Sequence, residues 1–354
     1  MSDFLENPEA AAGPRVAPSG SVELREEPMG CLPPAPALEG AWRWGGRILT
    51  LAYLSLIALA SSLPGAALLF FPELAALAYD VSVRPRGTWA AALGFLVFTP
   101  VLTAVIGIAV TQWLPFGPIS IFLVVALCVL LVQLLRSPIA PAISAGVLPV
   151  MTGLESWWYP PAILAGTSGL ALLGGVWKRF SIPHLPDRPA SPRERLDDRM
   201  ESIPGRVQWI PAMLVFVSGA AGLVWLTGER MIFYPPLVVI GFEMFAHPHV
   251  CPWARRPMRF PLAATLSALV GVAAVLFLGA GVVATVAALA GGMLILKSFD
   301  LHMPPALAIG LIPQILEEPG WHYALSVLVG SLWLAGVFRR YQGGILRRRI
   351  ALPG

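Results

Sequence analysis

The sequence predicts an all-α protein: a polytopic membrane helix bundle of two parallel-oriented repeats, about six segments each (6+6). Three observations predict it. The composition is too apolar for a globule in water, apolar runs alternate with loops of segregated charge, and the chain matches itself at a fixed offset.

Of 354 residues, 56% are hydrophobic and 12% charged, where soluble domains carry about 25% charged residues. A globule of this length leaves much of its surface facing water and cannot hide so many apolar side chains. A bilayer removes that constraint. Glycine (34) and proline (35) are abundant, as membrane helices tolerate. The net charge of +4 does not point to nucleic acid, because the arginines flank apolar runs and form no stripe. Cys31, Cys128 and Cys251 lie far apart and give no disulfide framework. The N-terminus is acidic without an apolar core, unlike a signal peptide.

About 20 apolar residues span the hydrocarbon core as a helix. By that measure the first half offers segments at 47–63, 66–83, 88–112, 119–135, 138–152 and 160–177. The second offers 209–227, 231–247, 260–278, 281–297, 304–316 and 323–338. The resulting division is a disordered tail (1–40), transmembrane repeat 1 (41–178), a charged cytoplasmic linker (179–208), transmembrane repeat 2 (209–340) and a basic cytoplasmic tail (341–354). The linker run RERLDDRMES reads as a solvated helix. The fifth segment of each half, PIAPAISAGVLPVM and MPPALAIGLIPQIL, is short and rich in Pro and Gly. It is a short buried helix or a re-entrant one. With the N-terminus in the cytoplasm and every segment crossing, Arg230 is the one Lys or Arg left outside, as the positive-inside rule requires. The expected location is the cell membrane, multi-pass, with both termini cytoplasmic.

At an offset of 164, residues 99–166 match 263–330 without a gap, with 16 identities in 68 positions. Pro141-Ala142 falls on Pro305-Ala306, Gly107 on Gly271, Gly146 on Gly310, Pro149 on Pro313, Trp157 on Trp321, and Tyr159 on Tyr323. Each half starts and ends on the same side, so an axis along the membrane normal relates them. Transporters built this way bind substrate between the halves.

LHMPPALAIGLIPQIL (301–316) resembles the His-Pro-Pro-Ala-Gly-Ala region that names the HPP transmembrane family. The preceding PPLVVIGFEMFAHPHVCPWARRPMRFPLAATLSALVGVA is similar to that family's loop and following helix. The resemblance implies a small helical membrane domain and transport of a small anion such as nitrite. It departs from the family where Met303 separates His302 from Pro304-Pro305, where Leu307 replaces a glycine, and in the first half, which keeps Ala140-Pro141-Ala142 but no histidine.

Ionisable residues inside membrane segments are costly and point to function by default. Glu243, in VVIGFEMFAHP, and its approximate counterpart Asp80 form one candidate: a matched acidic pair flanking a path, each carboxylate taking a proton or cation. The bland alternative is that both snorkel at the interface or pair with Arg84 or Arg255. Glu73 sits nearer the outer face and reads as interfacial. Pro141 and Gly146, with Pro305 and Gly310, form the second candidate, in which interrupted helices turn free N–H groups toward an anion; the alternative is a kinked packing helix. His302 and Asp300 stand at the start of that segment, and His302 is either an anion or proton ligand or a surface histidine. His247, His249 and Cys251 have metal-ligating chemistry but no fourth partner, so neither a metal nor another cofactor is expected.

These readings favour a permease or channel-like transporter for a small, anionic solute, with lipid and solute as partners and an oligomer compatible with the sequence. The alternatives are an intramembrane enzyme acting on lipid and a scaffold that transports nothing.

Overall fold

A computed structural model describes residues 37–185, 191–202, 204 and 207–351. The predicted tail up to residue 36, including Cys31, lies outside the described residues, as do parts of the linker and residues 352–354.

Among the described residues the secondary structure is entirely helical. The first half runs α1 (Ala37–Ser61), α2 (Leu74–Val83), α3 (Thr88–Ala91), α4 (Leu93–Trp113), α5 (Pro118–Leu134), α6 (Ala142–Thr152) and α7 (Tyr159–Ser181). The linker contributes α8 (Pro192–Met200). The second half runs α9 (Ile210–Thr227), α10 (Pro235–Ala246), α11 (Arg259–Leu278), α12 (Val282–Ser298), α13 (Pro305–Leu311) and α14 (Trp321–Ala351). Six of these, α1, α4, α7, α9, α11 and α14, are long and apolar enough to cross a membrane. The chain is therefore a helical bundle with the character of a membrane protein.

The sequence explains where the helices begin. Pro118, Pro160, Pro211, Pro235 and Pro305 all fall in the first turn of a helix, where proline's fixed φ fits and its missing N–H costs nothing. Helix ends are equally legible. Gly153 and Gly228 close α6 and α9 at φ 74° and 77°, the left-handed conformation that glycine adopts without strain. Arg136 and Asp300 take φ 51° without being glycine. Each lets the next N–H reach back into the helix just ended, Ser137 to the Val132 carbonyl and Leu301 to that of Leu296.

Two expectations need correction. The predicted segments 66–83 and 231–247 are not continuous helices: a 3-10 turn (Ala67–Leu69 or Arg230–Phe233) precedes Pro72 or Pro235, and α2 and α10 begin only after it. At 1.5 Å per residue, α2, α6, α10 and α13 extend only about 10–18 Å, roughly half of a 30 Å core or less. The basic tail at 341–351 is the continuation of α14.

All four short helices are buried along almost their whole length. Apart from a few polar residues such as Asp80, Ser144 and Glu243, they are apolar all round, the pattern of a helix enclosed by others. Their packing partners lie across the two halves: α2 lies on α13, and α6 on α10. Longer helices meet the same way, α1 with α12 and α5 with α9. Within each half the third-segment helix packs against the fifth. A Cβ on Gly107 of α4 would collide with the Gly146 carbonyl of α6, and one on Gly271 of α11 with the Gly310 carbonyl of α13. Tyr159 donates to the Ala145 carbonyl (3.2 Å) and Tyr323 to that of Ile309 (2.9 Å), each pinning the last long helix of its half to the short one.

Candidate functional site

At one end of the short helices a charged network joins segments far apart in sequence. Asp80 occupies the last turn of α2 and is fully buried. Arg84 closes that helix: its backbone N–H donates to the Asp80 carbonyl (2.8 Å) and its Nη1 to Asp80 Oδ1 (2.9 Å). His302, in the turn leading to α13, places Nε2 3.1 Å from the same Oδ1. Arg84 also reaches the linker, donating to Asp198 Oδ1 and Glu201 Oε1 at 2.5 Å each. Thr88 donates to Asp198 (3.1 Å).

The linker is thus helical as expected, with Ser191 and Glu194 forming a reciprocal capping box, but it is not simply solvated. Asp197, Met200 and Glu201 are buried against the bundle. Burial pushes the Asp197 and Glu201 carboxyls above the usual carboxylate range, and the Asp80 charge raises both further. Four carboxylates, of Asp80, Asp197, Asp198 and Glu201, surround the one Arg84 guanidinium.

Glu243 ends α10 as Asp80 ends α2. Its carbonyl accepts the N–H of His247 (3.0 Å), the residue closing that helix. Both carboxylates are buried, so neither snorkels, and Asp80 is close enough for its charge to bear on Glu243. The two differ in partners: Asp80 is netted by Arg84 and His302, whereas Glu243 Oε2 has no hydrogen-bond partner among the described residues. Asp300, by contrast, is exposed and pairs with Arg193 at 2.9 Å.

The helix-interruption candidates take another role. α6 continues through Pro149, Pro141 and Pro305 sit at helix starts, and Gly146 and Gly310 are closely packed against α4 and α11. A Cβ at Gly146 would strike Cys128 Sγ, and one at Gly310 would lie 3.2 Å from the Ser267 carbonyl. These residues therefore serve close backbone packing, and no free N–H cradle forms around them. His247, His249 and Cys251 do not assemble into a metal-ligand group among the described residues.

Two cavities lie at opposite ends of the short helices. The one beside the charged network, about 170 Å³, is walled by Arg43, Arg47, Arg84, Arg193, Lys297 and His302, with Glu194, Asp197 and Asp300. Arg43 pairs with Glu194 (3.3 Å) and Arg193 with Asp300. Arg47 and Lys297 have no carboxylate partner among the described residues. The other is an open vestibule of about 930 Å³, lined by the loops at 61–70, 151–154, 228–231 and 314–318, and by Tyr159 and His322.

Glu73, read from the sequence as nearer the outer face, is 3% exposed and lies three residues after Phe70, which lines the vestibule. It stands at the start of α2, with Ser144 of α6 beside it and the phenols of Tyr159 and Tyr323 near enough to feel its charge. Its Oε1 has no hydrogen-bond partner among the described residues.

Compared with protein-family models, curated proteins and solved structures, the chain gives no match.

Proposed function

We propose that the chain is an integral membrane permease for a small anion, made of two parallel six-segment repeats with the path along the seam between them. The observation that carries this reading is the set of four half-length, buried helices that meet across the halves with a cavity at either end. The short helices lie between the two cavities, which take up depth that the helices do not fill, and broken helices at membrane depth are how transporters expose polar backbone and ionisable groups to a solute.

The repeat is supported by contacts that recur between corresponding elements: Gly107 on Gly146 as Gly271 on Gly310, and Tyr159 on α6 as Tyr323 on α13. An anion is favoured by Arg47 and Lys297, two cations facing the 170 Å³ cavity without a carboxylate to neutralise them. The volume suits a few waters or an ion of nitrite to phosphate size, given about 30 Å³ per water. The resemblance of 301–316 to the HPP family points to the same substrate class. The positive-inside rule puts this cavity and both termini in the cytoplasm and the vestibule outside. A scaffold would have no need of cavities at both ends of the seam.

Uptake of nitrite, nitrate and phosphate into liposomes holding the purified chain tests the reading. Wild type should conduct at least one of them, and the double variant Arg47→Ala, Lys297→Ala should fall by about tenfold or more, the loss of at least one charge-assisted contact. No flux of any small anion, or full flux in the double variant, contradicts it.

A further inference from the structure

We propose that the Glu73 carboxyl is a proton-binding site, reached from the vestibule, through which a proton is coupled to solute movement. The coupling rests on the permease reading; the protonation does not.

Glu73 precedes α2 but does not cap it: no N–H of that helix is bonded by its side chain. The N-terminal dipole favours an ionised carboxyl only weakly, whereas burying a carboxylate without a charge partner disfavours it far more strongly. The surroundings supply no such partner. From α6 comes only the Ser144 hydroxyl, and both Ser144 Oγ and Glu73 Oε1 lack a hydrogen-bond partner among the described residues. From α7 and α14 come Tyr159 and Tyr323, whose hydroxyls are already committed to backbone carbonyls. Among the other helices packed on α2, α3 and α13 carry no titratable residue. α1 offers Tyr53, which donates to the Gly166 carbonyl, while its Arg43 and Arg47 wall the cavity at the far end. The α7 cations stand away too, with Lys178 donating to the Ala90 carbonyl (3.4 Å).

A protonated carboxyl gains a donor and loses its charge, which fits a site holding one hydroxyl and no cation. A hard metal cation fits poorly, since it takes six or more oxygens and the side chains around Glu73 offer few beyond Ser144. Access is short. Phe70, Leu148 and Tyr159 line the vestibule. Phe70 is three residues before Glu73, and Tyr159 is close enough to feel its charge. A proton would therefore arrive from vestibule water and occupy Glu73, leaving a neutral seam through which the anion and the proton travel together.

The test uses the full chain in three ways. Infrared difference spectra over a pH series should show a protonated-carboxyl C=O band that Glu73→Gln removes and Glu243→Gln leaves in part. Dicyclohexylcarbodiimide, which adds across the O–H of a neutral carboxyl to give an N-acylurea, should label Glu73 in wild-type protein, a measurement needing no variant. In liposomes, an imposed pH gradient should drive anion accumulation in wild type and in Glu73→Asp but not in Glu73→Gln. Absence of both the band and the adduct overturns the site. Gradient-driven accumulation that survives Glu73→Gln overturns the coupling. If band and adduct are found but no anion moves under any gradient, the permease reading fails and the proton site stands.

Discussion

The two ends of the short-helix group handle buried charge in opposite ways. At the linker end Asp80 is enclosed by Arg84 and His302, and Arg84 by Asp198 and Glu201 of the linker, so these groups form an ion-pair network. At the vestibule end Glu73 has one hydroxyl beside it and no cation, yet a cavity several times larger opens nearby. A charge network that closes upon itself holds structure; a lone carboxyl beside water is free to exchange a proton. The contrast teaches that burial alone does not distinguish a structural acid from a functional one. The partners do.

The sharpest way to break the comparison is Arg84→Gln. It strands Asp80 in the interior and removes the tie between α2 and α8. Losing one side of a buried ion pair costs about 3–5 kcal/mol, which thermal unfolding in detergent would read as a large fall in Tm. A loss within experimental error would mean that the network carries no load.

A smaller effect separates the two halves. Gly107→Ala and Gly271→Ala each push a Cβ into a facing carbonyl, and overpacking of this kind costs about 1–3 kcal/mol. Matched destabilisation supports equivalent roles in the two repeats; loss in only one would show that the halves pack differently.

The smallest effect is the most telling for the vestibule end. Glu73→Gln removes no ion pair and should cost about 1 kcal/mol or less, the ordinary size of a point substitution that strands no charge. A loss as large as that of Arg84→Gln would make Glu73 a structural acid after all.

Much of this architecture was legible from residue order. Apolar runs located the helices because a membrane demands about 20 apolar residues per crossing, and the Pro141/Pro305 and Tyr159/Tyr323 matches aligned the fifth segments. What remained illegible depended on depth and on distance along the chain. Segments 66–83 and 231–247 read as single apolar runs broken only by Glu73, Asp80 and Glu243 among acidic residues, and composition does not register that Pro72 and Pro235-Pro236 start a fresh helix after a 3-10 turn. The burial of Glu73 is not legible either, because Ser144, Tyr159 and Tyr323 approach it from distant parts of the chain. The Arg84 contacts with Asp198 and Glu201 span 114 and 117 residues, and no local pattern in RERLDDRMES shows which face will be buried. At Gly146 and Gly310 the sequence leaves two readings open, because close backbone approach and an anion cradle ask for the same residue, and the packing around them is what the residue order does not display.

The most direct measurement of the seam is blockade from the vestibule. Thr152 lines that cavity at the end of α6 and is half-buried. In liposomes carrying Thr152→Cys with Cys31, Cys128 and Cys251 replaced by serine or alanine, a membrane-impermeant thiol reagent added on the vestibule side should stop anion flux, and the same protein without the Thr152 change should be untouched. Flux that continues after complete modification of Cys at that position would place the path, if there is one, somewhere other than between the halves.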